Sequence, residues 1–138
     1  MKNILFFDKQ HVDRYYELIH KMKKYDVYHQ SMAYLISLCD SCYNHANDIF
    51  DFKESVIVPE GLQEAWQTST SLKVTRLAFN LWNHFCFDGD DMSFSCLYSA
   101  DEIFSCDLAK YFFEAIRIRY PEYFSFNINE RLVHDTEM

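Results

Sequence analysis

The residues best equipped for chemistry cluster near position 40. Cys39-Asp-Ser-Cys42 is a C-x-x-C pair, and His45 follows three residues later. Two thiolates at this spacing can bite one tetrahedral zinc ion, with an imidazole as a third ligand. A closed structural site takes four ligands, however, and the chain has no second C-x-x-C and no H-x-x-x-H. Cys86, Cys96 and Cys106 follow at intervals too long for ligand spacing. A dithiol redox centre calls for a thioredoxin-like βαβ setting, and the pattern around these cysteines is helical instead. Cys39 also completes an apolar helical stripe, where a free cysteine packs as a small hydrophobe. No metal and no cofactor are therefore expected.

Other catalytic signatures are missing. The six histidines, at 11, 20, 29, 45, 84 and 134, form no H-E-x-x-H. There is no G-x-S-x-G, no Walker loop and no G-x-G-x-x-G, and two glycines are too few for a loop that cradles phosphate. Asp88-Gly-Asp-Asp91 resembles part of a calcium loop, but no register places acids at 1, 3 and 5, Gly at 6 and Glu at 12. Carboxylates are plentiful, yet nothing in their spacing marks two of them as an acid and base. The chain is expected to be no enzyme.

Two sets of polar residues stand out by position instead. Ser69, Arg76, Asn80 and Asn83 fall on one narrow stripe of a helix whose opposite arc carries Val74, Leu77, Ala78, Leu81, Trp82 and Phe85. Asparagine is a mediocre helix former, so the stripe reads either as a solvated face or as a recognition surface anchored by Arg76. In the last helix, Lys110, Glu114 and Arg117 define a wet face, and Leu108, Phe112, Ala115 and Ile116 a dry one. Arg119 falls in the middle of the dry side, where a charge must be paired, snorkelling or at an interface. The carboxylates of Asp51 and Glu54 are candidate partners for it.

Charge supplies a third signal. The 138 residues carry 13 Lys and Arg against 21 Asp and Glu, a net −8. Between Asp88 and Asp107 lie Asp88, Asp90, Asp91, Asp101, Glu102 and Asp107 with no basic residue at all. Nucleic-acid binding draws on Lys and Arg displacing counterions, so direct binding to DNA or RNA is not expected. A basic protein surface is the better electrostatic match.

The elements that must position these residues are helical. Only 2 Gly and 2 Pro occur, where roughly ten and seven are usual at this length. Hydrophobic residues make up 49%, enough for a core, and no run reaches the roughly eighteen apolar residues of a membrane span. Ile4 to Phe7 is too short for a secretory signal, and an odd count of five cysteines fits reduced thiols, so a cytoplasmic protein is expected. Asp8 predicts an N-cap for a helix to Lys24 with His11, Tyr15, Leu18, Ile19 and Met22 inward. Asp26 caps a second helix striped by Tyr28, Met32, Leu35, Ile36 and Cys39, and Ser41 is placed to cap a third through Ile49.

The segment 50–67 breaks periodicity, with Ser55 to Val58 extended and Gly61 marking the turn out. A long helix is expected from Thr68–Thr70 to Phe87, ending near Gly89, then a short one from Phe94 to Tyr98. A last helix begins at Asp101 or Asp107 and stops before Pro121. The fold class is all-α: a compact single-domain bundle of about five to six helices over 1–121, with one irregular segment near 50–67. A weakly patterned extension follows over 122–138. Aromatics are 18%, so some rings are expected at the surface, where they would serve a partner or a homo-oligomer.

Five ordered blocks resemble a domain-of-unknown-function family of small proteins from Gram-positive bacteria, their phages and integrative elements. They are His11-x-x-x-Tyr15-Tyr16-Glu17-Leu18-Ile19, Ala33 to Ser37, Ile49 to Glu54, Arg76-Leu77-Ala78-Phe79-Asn80-Leu81-x-Asn83 and Glu114 to Tyr120. The resemblance covers about residues 8–120 and implies no activity. It implies that the C-x-x-C and the Glu122–Met138 segment are particular to this chain. It also places Arg76, Asn80, Asn83 and Arg119 in a shared polar network or binding surface.

These observations lead to the expectation of a non-enzymatic interaction protein of a phage or mobile element. Its expected action is to inhibit a host defence nuclease, in the anti-CRISPR manner, through Asp88, Asp90, Asp91, Asp101 and Glu102, with Phe87, Phe94 and Tyr98 as anchors. The alternative is a binder of a small anionic or nucleotide ligand, using Arg76, Asn80, Asn83 and Arg119, because an Arg fork suits phosphate and Asn suits base edges.

Overall fold

The computed structural model describes residues 3–87 and 96–124. Among them are seven α-helices and one two-stranded antiparallel ladder, so the all-α expectation holds, with more and shorter helices than the sequence pattern implies. Asp8 caps α1 (Lys9–Met22) by accepting from the His11 N–H. The chain leaves α1 through Lys23, whose φ of 61° is the left-handed conformation that ends many helices. Asp26 caps α2 (Val27–Leu38) in the same way, through the His29 N–H.

α2 is the hub. It packs against α1, α5 (Ser69–Asn83) and α7 (Ala109–Arg119), and every residue from His29 to Leu38 except Gln30 is buried. The expected single stripe on α2 is therefore a whole buried surface. Two serines make this affordable: the Ser37 hydroxyl donates to the Ala33 carbonyl at 2.7 Å and Ser31 to Tyr28 at 3.2 Å. Tyr28, expected inward, is exposed at the start of the helix.

The helix expected through Ile49 is two short ones, α3 (Asp40–Asn44) and α4 (Ala46–Ile49), broken at His45. The irregular segment is a small hairpin: β1 (Phe50–Asp51) pairs with β2 (Val56–Ile57), with Phe50 opposite Ile57. Asp51 organises the turn by accepting from the Lys53 and Glu54 N–H groups at 3.0 and 2.9 Å. Gly61 lies in the turn that leaves the extended stretch, its N–H donating to the Val58 carbonyl at 2.9 Å. It sits buried in a 3₁₀ turn, Pro59–Gln63, where a Cβ would lie 2.3 Å from the Asp48 carbonyl oxygen.

Thr68 and Ser71 form a reciprocal capping box at the start of α5, each hydroxyl accepting from the other residue's N–H. The helix ends at His84 (φ 67°), earlier than expected, and Gly89 lies outside the described residues. The expected helix from Phe94 is, over its described part, a 3₁₀ turn at Cys96–Tyr98. The last helix is two elements: α6 (Ala100–Phe104), capped by Ser99, and α7.

α7 also corrects the expected wet face. Glu114 is buried, and its carboxylate accepts from Arg117 Nε and Nη2 at 2.8 and 2.6 Å and from the Leu5 N–H at 2.9 Å. Arg117 donates further to the Asn3 carbonyl, and the Tyr34 hydroxyl donates to the Leu5 carbonyl at 2.5 Å. The N-terminal segment is thus strapped across α2 and α7. It brings Phe6 edge-on to the rings of His11 and Tyr15, at 5.0 and 5.4 Å.

Candidate functional site

Of the acidic set, Asp88, Asp90 and Asp91 lie outside the described residues. Asp101 and Glu102 occupy the first turn of α6, and both are exposed. Their position favours the helix electrostatically, because carboxylates complement the positive end of the helix dipole. Lys73, from α5, donates to the Glu102 carbonyl, which ties α6 to α5 by its backbone and leaves the Glu102 carboxylate outward. Asp107 is exposed as well. Among the expected anchors, Phe87 and Tyr98 are half-buried and joined by a hydrogen bond from the Tyr98 hydroxyl to the Phe87 carbonyl at 2.7 Å. Phe94 lies outside the described residues.

The second polar set is spread over the middle and C-terminal end of α5 and the end of α7, and Asn80 and Arg119 are engaged with backbone. Arg76 is buried in the helix. Asn80 donates to the Phe85 carbonyl at 3.1 Å, closing the helix end, and Asn83 is exposed one turn on. Arg119 is buried as its position on the dry side of α7 requires, but its partners are not the carboxylates of Asp51 and Glu54. Its Nε donates to the Leu81 carbonyl at 2.8 Å, and its guanidinium lies between two rings, 3.9 Å from Tyr28 and 4.4 Å from Tyr120. A delocalised, weakly hydrated cation is well suited to such stacking.

The thiols are asymmetric. Cys39 occupies the N-cap position of α3, and its pKa is pushed down to about 6, first by the neighbouring Cys42 thiol and then by the Ser41 and Cys42 backbone N–H groups, against the opposing effect of burial. Cys42 is pushed well up, because it is the donor in that pair and is buried against the Ser71 carbonyl and the Thr75 hydroxyl. His45 does not join them. Its Nδ1 donates to the Ser41 carbonyl at 3.0 Å, and its ring stacks on Trp66 at 4.5 Å. Among the described residues no group of three His, Cys, Asp or Glu side chains is placed to hold a metal ion.

One arrangement has no sequence motif to announce it. Asp26 Oδ1 lies 2.8 Å from His29 Nδ1, and His29 Nε2 lies 3.1 Å from Ser55 Oγ. Asp26 and His29 share the first turn of α2, whereas Ser55 comes from the hairpin turn with φ of 56°. Burial acts to raise the Asp26 pKa, but hydrogen bonds from the His29 backbone and ring prevail and hold it below the usual carboxylate range. Ser55 opens onto a cleft of about 520 Å³ that Lys21, Lys23, Lys24 and Lys53 also line, with one acid, Glu54, among them, so that its lining is positive on balance. A neighbouring cleft of about 710 Å³ shares Lys21, Lys23 and Lys24 and adds His20 and Tyr25. The sequence carries one partial sign of this, an Asp cap with His at its N3 position. The serine, 26 positions further on, has none.

The structure thus defines a compact helical domain with an acidic edge on α6, a lysine-lined corner beside the hairpin and a buried Arg119 at the end of α7 that is bonded to the Leu81 carbonyl of α5. The chain belongs to a family of unknown function, DUF6075, which it matches over residues 1–132. That match runs past residue 120, so most of Glu122–Met138 falls within the family's span and is not particular to this chain. No curated protein and no solved structure matches the chain. Among the described residues, no helix is long and apolar enough to cross a membrane.

Proposed function

We propose that this protein acts by binding a basic surface of another protein, and that the partner is a nucleic-acid-handling nuclease of a host defence system, inhibited in the anti-CRISPR manner. The observation that carries the reading is the stretch from Asp88 to Asp107, six acids without a base, whose described members Asp101, Glu102 and Asp107 are all exposed. Negative charge presented this way competes with phosphate for a basic channel and steers association over several ångströms. The acidic balance of the chain speaks for a protein partner rather than a nucleic acid. The reading at Arg76, Asn80, Asn83 and Arg119 is weaker, since Asn80 and Arg119 are hydrogen-bonded to backbone carbonyls. The test is affinity capture from host lysate with the wild-type chain and with Asp101→Lys/Glu102→Lys. A nuclease retained by the wild type at low salt, and lost both at high salt and from the variant, is the expected result.

A further inference from the structure

The Asp26–His29–Ser55 chain carries more than a tie between α2 and the hairpin. We infer that Ser55 is a nucleophile activated by His29, with Asp26 as its positioning residue, and that the site cleaves carboxylic esters whose acyl part bears a negative charge. The hydrogen-bond order is what selects this chemistry. Asp26 accepts from His29 Nδ1 at 2.8 Å, an arrangement that in the neutral imidazole places the lone pair on Nε2. That lone pair faces Ser55 Oγ at 3.1 Å, the distance at which a base takes a hydroxyl proton.

The imidazole is held as a base must be held. His29 is buried, with its ring edge-on to Trp82 at 4.9 Å and to Phe50 at 6.2 Å, so it has little freedom to turn away. Ser55 itself sits in the left-handed region, a conformation that is strained for a non-glycine and clusters at functional sites. The hydroxyl opens on the lysine-lined cleft. The Lys53 and Glu54 N–H groups are already given to Asp51 Oδ1, so stabilisation of a developing oxyanion falls to the lysine ammonium groups. The same positive charge selects an anionic acyl group.

The reaction balances with water alone. Ser55 Oγ bonds to the acyl carbon as its proton passes to His29 Nε2. The ester C–O bond then breaks, and His29 returns the proton to the leaving alkoxide. Water, deprotonated by His29, hydrolyses the acyl-serine to the free acid and restores Ser55. This inference stands apart from the partner-binding proposal, because the acids are on α6 and these residues are on α2 and the hairpin.

The experiment uses the full chain and a fluorophosphonate probe, which forms an O–P bond to an activated serine and releases fluoride. Peptide mapping is expected to place the adduct on Ser55. Ser55→Gly, which keeps the left-handed backbone and removes the hydroxyl, is expected to abolish it. Asp26→Asn retains a good N-cap, and it is expected to lower the maximal labelling rate by on the order of 10²–10⁴-fold while leaving the half-saturating probe concentration unchanged. The mono-nitrophenyl ester of succinic acid is expected to be hydrolysed at least about tenfold faster than nitrophenyl acetate, and only when Ser55 is present. Absence of the Ser55 adduct, or equal labelling rates in wild type and in Asp26→Asn, would overturn the assignment and leave the three residues as a structural link.

Discussion

His11 shows how a single buried side chain couples this fold to pH. Its Nε2 donates to the Tyr34 carbonyl at 2.9 Å, which leaves Nδ1 to accept from the Phe7 N–H at 3.0 Å. Burial lowers its pKa below the ordinary 6.5, outweighing the Tyr34 carbonyl and the Asp8 carboxylate, which act the other way. A base with a lowered folded pKa binds fewer protons folded than unfolded, so its contribution is complete above 6.5 and is lost as pH falls toward the folded value. Asp26 is also shifted down, but as a carboxylate it acts only below its ordinary 3.8. Chemical denaturation is therefore expected to give lower stability near pH 5.5 than near pH 7.5, with a shallower pH slope in His11→Gln. Equal slopes would remove His11 as the cause. The periodicity of α1 was enough to place His11 inward, but its role depends on Phe7 and Tyr34, which no local pattern joins to it.

At the scale of elements, the strap and the hairpin are held by side chains that sequence pattern assigns elsewhere. Glu114 reads as part of a wet helix face, since it alternates with Lys110 and Arg117. It is buried because the N-terminal segment crosses α7 there and needs an acceptor for the Leu5 N–H. Glu114→Ala is expected to cost about 1.5–3 kcal/mol, the range for hydrogen bonds to a charged group. It is also expected to speed amide exchange at Leu5 and Phe7, which hydrogen-exchange mass spectrometry reads; unchanged exchange there would mean the strap is held without it. Gly61 reads as a loop punctuator, whereas its burial reflects contact with the backbone of α4. A methyl group would meet the Asp48 oxygen at 2.3 Å, so Gly61→Ala is expected to lose about 1–3 kcal/mol in a urea titration. By contrast, the starts of α1, α2 and α5 were legible from Asp8, Asp26 and Thr68, because a capping oxygen acts on its own helix within three residues. Helix ends were less legible: α1 and α5 stop at Lys23 and His84, neither of which is a glycine.

Over the whole molecule, two concentrations of opposite charge stand out, each with an opposite charge beside it, Lys73 at α6 and Glu54 in the lysine cleft. Four lysines meet around the clefts beside the hairpin, while exposed Asp101, Glu102 and Asp107 lie in and after α6. The acidic side was visible in the sequence because its residues fall within one stretch of chain that holds no base. The lysine corner was not, because Lys53 joins Lys21, Lys23 and Lys24 only through the hairpin fold. Among the described residues five Phe and Tyr rings, Tyr15, Tyr34, Phe50, Phe79 and Phe112, are buried in the core, others pack against it part-buried, and Phe7, Tyr16, Phe113 and Tyr123 are more than half exposed. The central claim is that the acidic edge carries partner recognition. It is tested most directly by neutralising Asp88, Asp90, Asp91, Asp101 and Glu102 together, as Asn and Gln. Affinity for the captured nuclease is then measured at low and high salt. The account predicts a loss on the order of tenfold or more at low salt and a flattened salt dependence in the neutralised chain. Unchanged affinity with an unchanged salt slope would contradict it.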